Sequence, residues 1–191
     1  MIRTTLAATA LLVAAPALAE PVAFDVDASH AQTVFHYTHL GFSTTYGMFS
    51  GWEGTILFDQ EDPAASSVDV AIPAAAMFTG WEARDEHFSG PEFFDMSTNN
   101  VVSFKSTAID VTSDETAKIT GDLTLGGVTK SVELDATFNG MADHPQMGKP
   151  WIGFDATTTL LRSDFDAGAF APFISDEVVV MISIEAGQAD S

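Results

Sequence analysis

The strongest constraint on this chain is a two-residue hydrophobic period that recurs along most of its length. In residues 128–139 (VTKSVELDATFN), Val128, Lys130, Val132, Leu134, Ala136 and Phe138 share one face, while Thr129, Ser131, Glu133, Asp135 and Thr137 share the other. Successive side chains of a strand point to opposite faces, so such a segment has one dry side and one wet side. The same reading predicts strands over residues 32–40, 54–59, 67–72, 101–111, 117–125, 151–161 and 177–185, all rich in Val, Ile, Thr and Phe. Gly126-Gly127 separates two of them and suits a two-residue primed hairpin turn. Strands this closely spaced imply an antiparallel sandwich or barrel in one domain, without βαβ units. Two stretches break the pattern. Residues 80–89 (GWEARDEHFS) predict a short helix across one end, and residues 144–150 (HPQMGKP), with two prolines, predict a loop.

The inward faces mix aromatic and polar groups. Thr33, Phe35, Tyr37 and His39 share one side of their strand. A barrel of about eight strands has room for packed side chains or for one small ligand, and pattern alone does not separate the two. If the barrel is hollow, Phe35, Tyr37, Phe49, Trp52, Phe93, Phe94, Phe104 and Phe154 are its candidate lining, with His39 as a polar contact. Arg84, Asp85 and His87 form one charged group, Arg162 and Asp164 another. A helix crossing the barrel end would bring Arg84 to Asp164 or Arg162 to Asp85 and so fix the cap. The same charges are candidates for holding a head group at the mouth.

Several chemistries find no support. His36 and His39 differ by an odd number and point to opposite faces, while His30 and His36 lie roughly 20 Å apart on a continuous strand at ~3.3 Å per residue. One strand therefore cannot gather three histidines on an ion, and no metal site is expected. The chain has no cysteine, which removes thiol nucleophiles and thiolate ligands. No nucleophile elbow, phosphate-binding loop or dinucleotide fingerprint occurs. With 27 Asp and Glu against 7 Lys and Arg, binding to nucleic acid or to anionic lipid by charge is disfavoured. Residues 1–19 read as a signal peptide: Met1-Ile2-Arg3, an apolar run, then Ala17-Leu18-Ala19 before Glu20. The apolar run is shorter than the ~20 residues of a membrane span, so residues 20–191 are expected as an exported domain without stable membrane insertion.

The chain also carries an ordered set of short blocks. Phe24-Asp25-Val26-Asp27 and His30 come first, then His39-Leu40-Gly41-Phe42-Ser43, Gly47-Met48-Phe49, and Trp52-Glu53-Gly54-Thr55-Ile56-Leu57-Phe58-Asp59. Arg84-Asp85-Glu86-His87 leads to Phe93-Phe94-Asp95, and Gly121-Asp122-Leu123-Thr124-Leu125 precedes Gly127-Val128-Thr129-Lys130. Arg162-Ser163-Asp164-Phe165 and Ser175-Asp176-Glu177-Val178 close the series. In this ordered set the sequence resembles the YceI-like family of exported polyisoprenoid-binding proteins, from about residue 24 to residue 186. The resemblance implies an eight-stranded, lipocalin-like antiparallel barrel, periplasmic or secreted, whose elongated lumen holds an isoprenoid or similar lipid. It also implies dimers in some members. The sequence departs from the family's pattern at Phe88-Ser89-Gly90-Pro91, where a Leu-Arg-Ser run is usual, at Gly126, where a His or basic residue is common, and at Ser131, where a Pro is usual. The lost Arg removes a partner for an anionic head group and favours a neutral lipid, such as a quinone or a fatty amide. The expectation is a carrier or reservoir that needs no cofactor and catalyses nothing. Two alternatives stand beside it: an enzyme acting on its bound lipid through His39 or His87, and an interaction protein with a solid barrel.

Overall fold

The structure, a computed structural model, describes residues 20–190; the expected signal peptide lies outside the described residues. The described residues form eleven strands and one α-helix in the order β1 (Val22–Val26), β2 (Gln32–His39), β3 (Ser43–Phe49), β4 (Glu53–Phe58), β5 (Ser67–Pro73), β6 (Met77–Phe78), α1 (Glu82–Ser89), β7 (Val101–Val111), β8 (Thr116–Leu125), β9 (Val128–Asp143), β10 (Pro150–Leu161) and β11 (Glu177–Gln188). The pairing turns eleven strands into eight staves. β11 pairs with β2 along Val179–Ser183 and with β1 along Ala186–Gln188, so β1 and β2 are halves of one stave. β4 pairs with β1 and β3 with β2; β5 pairs with β4 and β6 with β3. The β1–β11 pairing closes the ring, and every pairing is antiparallel. The result is a closed eight-stave barrel of up-and-down connectivity. Closure leaves no long unpaired edge.

Each of the eight strands expected from periodicity occupies a different stave. The halves the pattern did not reveal are β1, β3 and β6. β3 (STTYGMF) turns Thr45, Gly47 and Phe49 inward, and that face is too polar and too small to announce itself as dry. The Gly126-Gly127 turn has φ of 56° and 79°, the two positive values that a type I′ hairpin requires.

The joints between half-staves lie side by side at mid-height. Residues 27–31 interrupt the first stave, residues 50–52 the second and the 3₁₀ turn Ala74–Ala76 the third. A Cβ at Gly51 would lie 3.9 Å from both Ala76 Cβ and Pro73 Cδ, which places the second and third joints in contact. The upper end carries the β2–β3 turn, α1 with residues 90–100, and the loop of residues 162–176. The lower end carries the turns of residues 59–66, 112–115 and 144–149.

The buried apolar side chains face inward from all the staves, among them Phe24, Phe35, Ile56, Val70, Phe104, Leu134, Ile152 and Ile184. Three aromatic rings lie on a glycine of the next strand: Phe35 and Phe104 of this inward set, and the half-buried Trp151, which is not part of it. Phe35 Cζ would be 2.2 Å from a Cβ at Gly47, Phe104 Cζ 2.4 Å from one at Gly121, and Trp151 Cζ3 2.2 Å from one at Gly187. With no side chain beneath it, each ring lies flat against the sheet. For Phe35 and Phe104, which face inward, the barrel thereby keeps its aromatic content on the wall and leaves its axis open.

Candidate functional site

The interior is a cavity of about 1000 Å³ that runs between the two ends of the barrel. Its wall is overwhelmingly apolar. Thr33, Phe35 and Tyr37 of β2, Phe49 of β3, Trp52 in the second joint and Phe104 of β7 all line it and are buried. Phe154 of β10 lines the lower part, in a cluster with Phe58 and Phe138 whose ring centroids are 5.2–5.7 Å apart. Phe93 and Phe94 descend from the segment after α1 and close the upper part, where Phe94 meets Phe49 at 6.0 Å and Phe93 meets Phe88 at 4.9 Å. The aliphatic wall, with Ile56, Val70, Leu134, Val180 and Ile184, completes the lining. Those aliphatic residues lie on the dry faces that strand alternation predicts, but alternation alone does not distinguish a lumen wall from a packed core.

His39 belongs to the lining but sits exposed at the upper rim, where its strand bridges Ile174. His87 also borders the cavity from α1. Its Nε2 lies 3.0 Å from Glu92, and its ring stands edge-on to Phe93 at 5.1 Å.

The two charged groups do not meet as expected: neither the Arg84–Asp164 nor the Arg162–Asp85 pair forms. Each Arg is instead held locally, because the chain around it supplies oxygens at shorter range. Arg84 donates from Nε to Thr79 Oγ1 at 2.9 Å and from Nη2 to Thr79 O at 2.7 Å, while Asp85 accepts from Thr79 N at 2.9 Å and from the Thr79 hydroxyl. Thr79 is thus clamped from both sides, and the start of α1 is pinned to the end of β6. Arg162 gathers the upper loop around its guanidinium, donating to the carbonyls of Ser175 (2.9 Å), Ala167 (2.6 Å), Ala169 (3.1 Å) and Ile174 (3.1 Å). Burial pushes its pKa down, opposed by the nearby Asp176 carboxylate. Asp176 accepts from Ser163 N at 2.8 Å and from the Ser163 hydroxyl, which holds it below the ordinary carboxylate value. Asp164 is exposed, and neither it nor Asp85 borders the cavity.

The two ends differ in chemistry. At the upper rim the exposed groups include Leu40, Phe42, Trp81, Phe170 and Phe173, with Phe42 89 % and Phe173 73 % accessible. Leu40 N donates to Phe173 O at 2.9 Å, and Phe170 stacks 6.3 Å from Phe93, so these groups are neighbours across two loops and the cap. At the lower end the exposed lining is Gln60, Ser113, Asp114, Glu115 and Thr116 beside Val111.

Among the described residues, one group has ligand atoms close enough for a cation: Asp27, His30 and Glu185, all within 4.8 Å of one another on the outer surface at the first joint. All three are already engaged. His30 Nδ1 lies 2.7 Å from Asp27 Oδ2, and Trp151 Nε1 donates to Glu185 Oε2 at 3.1 Å. The group closes the turn of residues 27–31 and is apart from the cavity.

The YceI-like domain matches this chain over residues 24–186. A UPF0312 protein of Pseudomonas savastanoi pv. phaseolicola is 41 % identical over 169 residues, covering 86 % of this chain and 88 % of that one. A UPF0312 protein of Ectopseudomonas mendocina is 38 % identical over 188 residues, covering 97 % and 98 %. Among solved structures, the YceI protein of Campylobacter jejuni superposes with a TM-score of 0.72 at 30 % identity, covering 80 % of this chain and 90 % of that chain. A polyisoprenoid binding domain from Saccharophagus degradans, implicated in plant cell wall breakdown, shares the fold with a TM-score of 0.69 at 14 % identity, covering 88 % and 99 %. On the extent of these matches and the closed eight-stave barrel, the chain belongs to the YceI-like domain family.

Proposed function

We propose that this protein is an exported, non-catalytic carrier or reservoir that shelters a long-chain apolar lipid of isoprenoid type along the barrel axis. The observation that carries the reading is the hollow, apolar interior. A barrel with 15 Phe and 3 Trp has ample side-chain volume to fill its own centre, yet about 1000 Å³ stays open. That is the top of the range for small-molecule pockets, about 300–1,000 Å³. A solid barrel serving only as an interaction protein does not fit this interior. The polyisoprenoid binding of the Saccharophagus degradans domain supports the ligand class. The roles found for His87, Arg84 and Arg162 are local and structural, which favours containment over chemistry.

The magnitude is consistent with reversible storage. At roughly 30 Å³ per heavy atom, the share of one water in the liquid, the cavity holds on the order of 30 heavy atoms. At about 0.3 kcal/mol per atom these yield about 9 kcal/mol, a dissociation constant on the order of 0.1–1 µM. Longer chains project through a mouth. The aromatic upper rim is the end by which a lipid enters, because the polar and acidic lower rim offers a tail no apolar path.

Native mass spectrometry of protein gently extracted from the producing cells tests the proposal. A co-purifying lipid mass is expected, and it should be lost in a folded Phe35→Asp variant, where an unpaired charge faces the tail. A bare protein mass in wild type refutes the carrier reading.

A further inference from the structure

Two polar atoms in this greasy wall are without partners. The Thr33 hydroxyl and the Trp52 indole N–H are shielded from solvent and form no hydrogen bond among the described residues. Their residues are 7 % and 5 % accessible, and both border the cavity. Buried hydroxyls and indole N–H groups are nearly always paired. Both also sit where the sheet is interrupted. Thr33 follows the joint of residues 27–31, Trp52 ends the joint of residues 50–52, and Thr33 is the cross-strand partner of Phe49, three residues before Trp52. Sheet irregularities of this kind re-aim side chains that regular pleating would place elsewhere. The lumen therefore carries a polar station halfway down an otherwise apolar tunnel.

The chemistry of the station defines its guest. An indole N–H can only donate, and a threonine hydroxyl with no acceptor nearby is free to donate as well. Among the described residues, the arginines that border the cavity, Arg84 and Arg162, are at the upper end and already occupied by Thr79 and by the carbonyls of the upper loop, and His39 and His87 also stand at that end. A phosphate at mid-depth would be buried without a counter-charge. We propose that the lipid carries an uncharged hydrogen-bond acceptor, a carbonyl-type oxygen, part way along its length, and that this oxygen seats against Trp52 Nε1 and Thr33 Oγ1. This rests on the carrier reading and narrows it. The acceptor sets the depth and register of the guest, and a hydrocarbon of equal length leaves two donors orphaned. Sites built to hydrogen-bond a group reject analogues lacking it far better than apolar pockets distinguish chain length.

The test compares delipidated protein with two probes, a long straight-chain alkane and the ketone of the same length with its carbonyl at mid-chain. The readout is the ratio of ketone to alkane affinity. Thr33→Val and Trp52→Phe each remove a donor while keeping the shape or the ring. The ratio is expected to fall about tenfold from wild type to the double variant, with alkane affinity unchanged or raised. In wild type the ¹⁵N-indole signal of Trp52 is expected to shift with the ketone and not with the alkane. This signal serves as the test even if Trp52→Phe fails to fold. An unchanged ratio in the double variant, or an indole signal indifferent to the ketone, overturns the inference while leaving the carrier reading intact. Failure of both probes to bind wild type overturns the carrier reading itself.

Discussion

Replacing Gly47 by Ala tests whether glycines hold the lumen open. Gly47 is the direct cross-strand partner of Phe35, and its φ is not in the left-handed region, so conformational freedom does not explain it. On backbone grounds alone, Gly→Ala in a strand is worth about 0.5–1 kcal/mol in favour of the variant. The packing argument has the opposite sign. The new Cβ would lie 2.2 Å from Phe35 Cζ, 2.7 Å from Cε1 and 2.8 Å from Cε2, whereas carbon atoms rest about 3.5–4.0 Å apart. The ring must lift by more than about 1 Å, and the sheet behind it leaves only the lumen as the direction. Such overpacking costs typically about 1–3 kcal/mol. The balance is a destabilisation of about 1–2 kcal/mol, or roughly 2–8 °C in Tm for a domain of this size, together with weaker lipid binding as the ring enters the cavity. Urea denaturation and thermal melting of the delipidated protein measure the first effect and lipid titration the second. Phe35→Leu in the Gly47→Ala background should recover part of the loss, giving a coupling of about 1 kcal/mol in a double-mutant cycle. A Gly47→Ala protein as stable as wild type, or more so, with no coupling to Phe35, refutes the argument.

Three other perturbations address the rest of the molecule. Arg162→Lys keeps the charge but loses the fork that reaches four carbonyls, so thermal melting should show a loss of about 2 kcal/mol; an unchanged melt would mean the upper loop is held by other contacts. His30 should titrate above its ordinary 6.5 in NMR, chiefly through its hydrogen bond to Asp27, and return towards that value in Asp27→Asn. Burial pushes Asp27 up, but hydrogen bonds from His30 and Ser29 outweigh it and hold its carboxyl below 3.8. The pair's support for the first joint is accordingly lost as pH rises through the raised His30 value, and lost again as pH falls through the lowered Asp27 value. A His30 midpoint at or below 6.5 contradicts the geometry. Phe42→Asp combined with Phe173→Asp should slow lipid uptake from donor vesicles while leaving equilibrium occupancy unchanged, as measured by stopped-flow transfer; an unaffected rate places the entrance elsewhere.

The strands with a dry face were legible because alternation is local. Residues 128–138 declare their inward set without reference to any neighbour, and the helix and the proline-rich loop were equally local readings. β3 was not legible, because Gly47 makes sense only once Phe35 of the next strand lies on it. The charged cap shows the same limit. Residue types identified Arg84, Asp85 and Arg162 as important to the upper end, but their partners are backbone oxygens and a threonine hydroxyl, which no charge pattern encodes. His39 has the parity of the lumen face, and only the position of the β2–β3 turn decides that it stands at the rim.

Strand period and turn glycines thus determined an antiparallel all-β domain, sandwich or barrel, and the ordered blocks, through the resemblance they carry, pointed to the barrel and its family, since each is written in residues a few positions apart. Whether that barrel is hollow was decided by the tertiary structure. An empty axis depends on rings lying against glycines across strands and on three joints meeting at one height, and those coincidences exist only after residues far apart in the chain are brought into register.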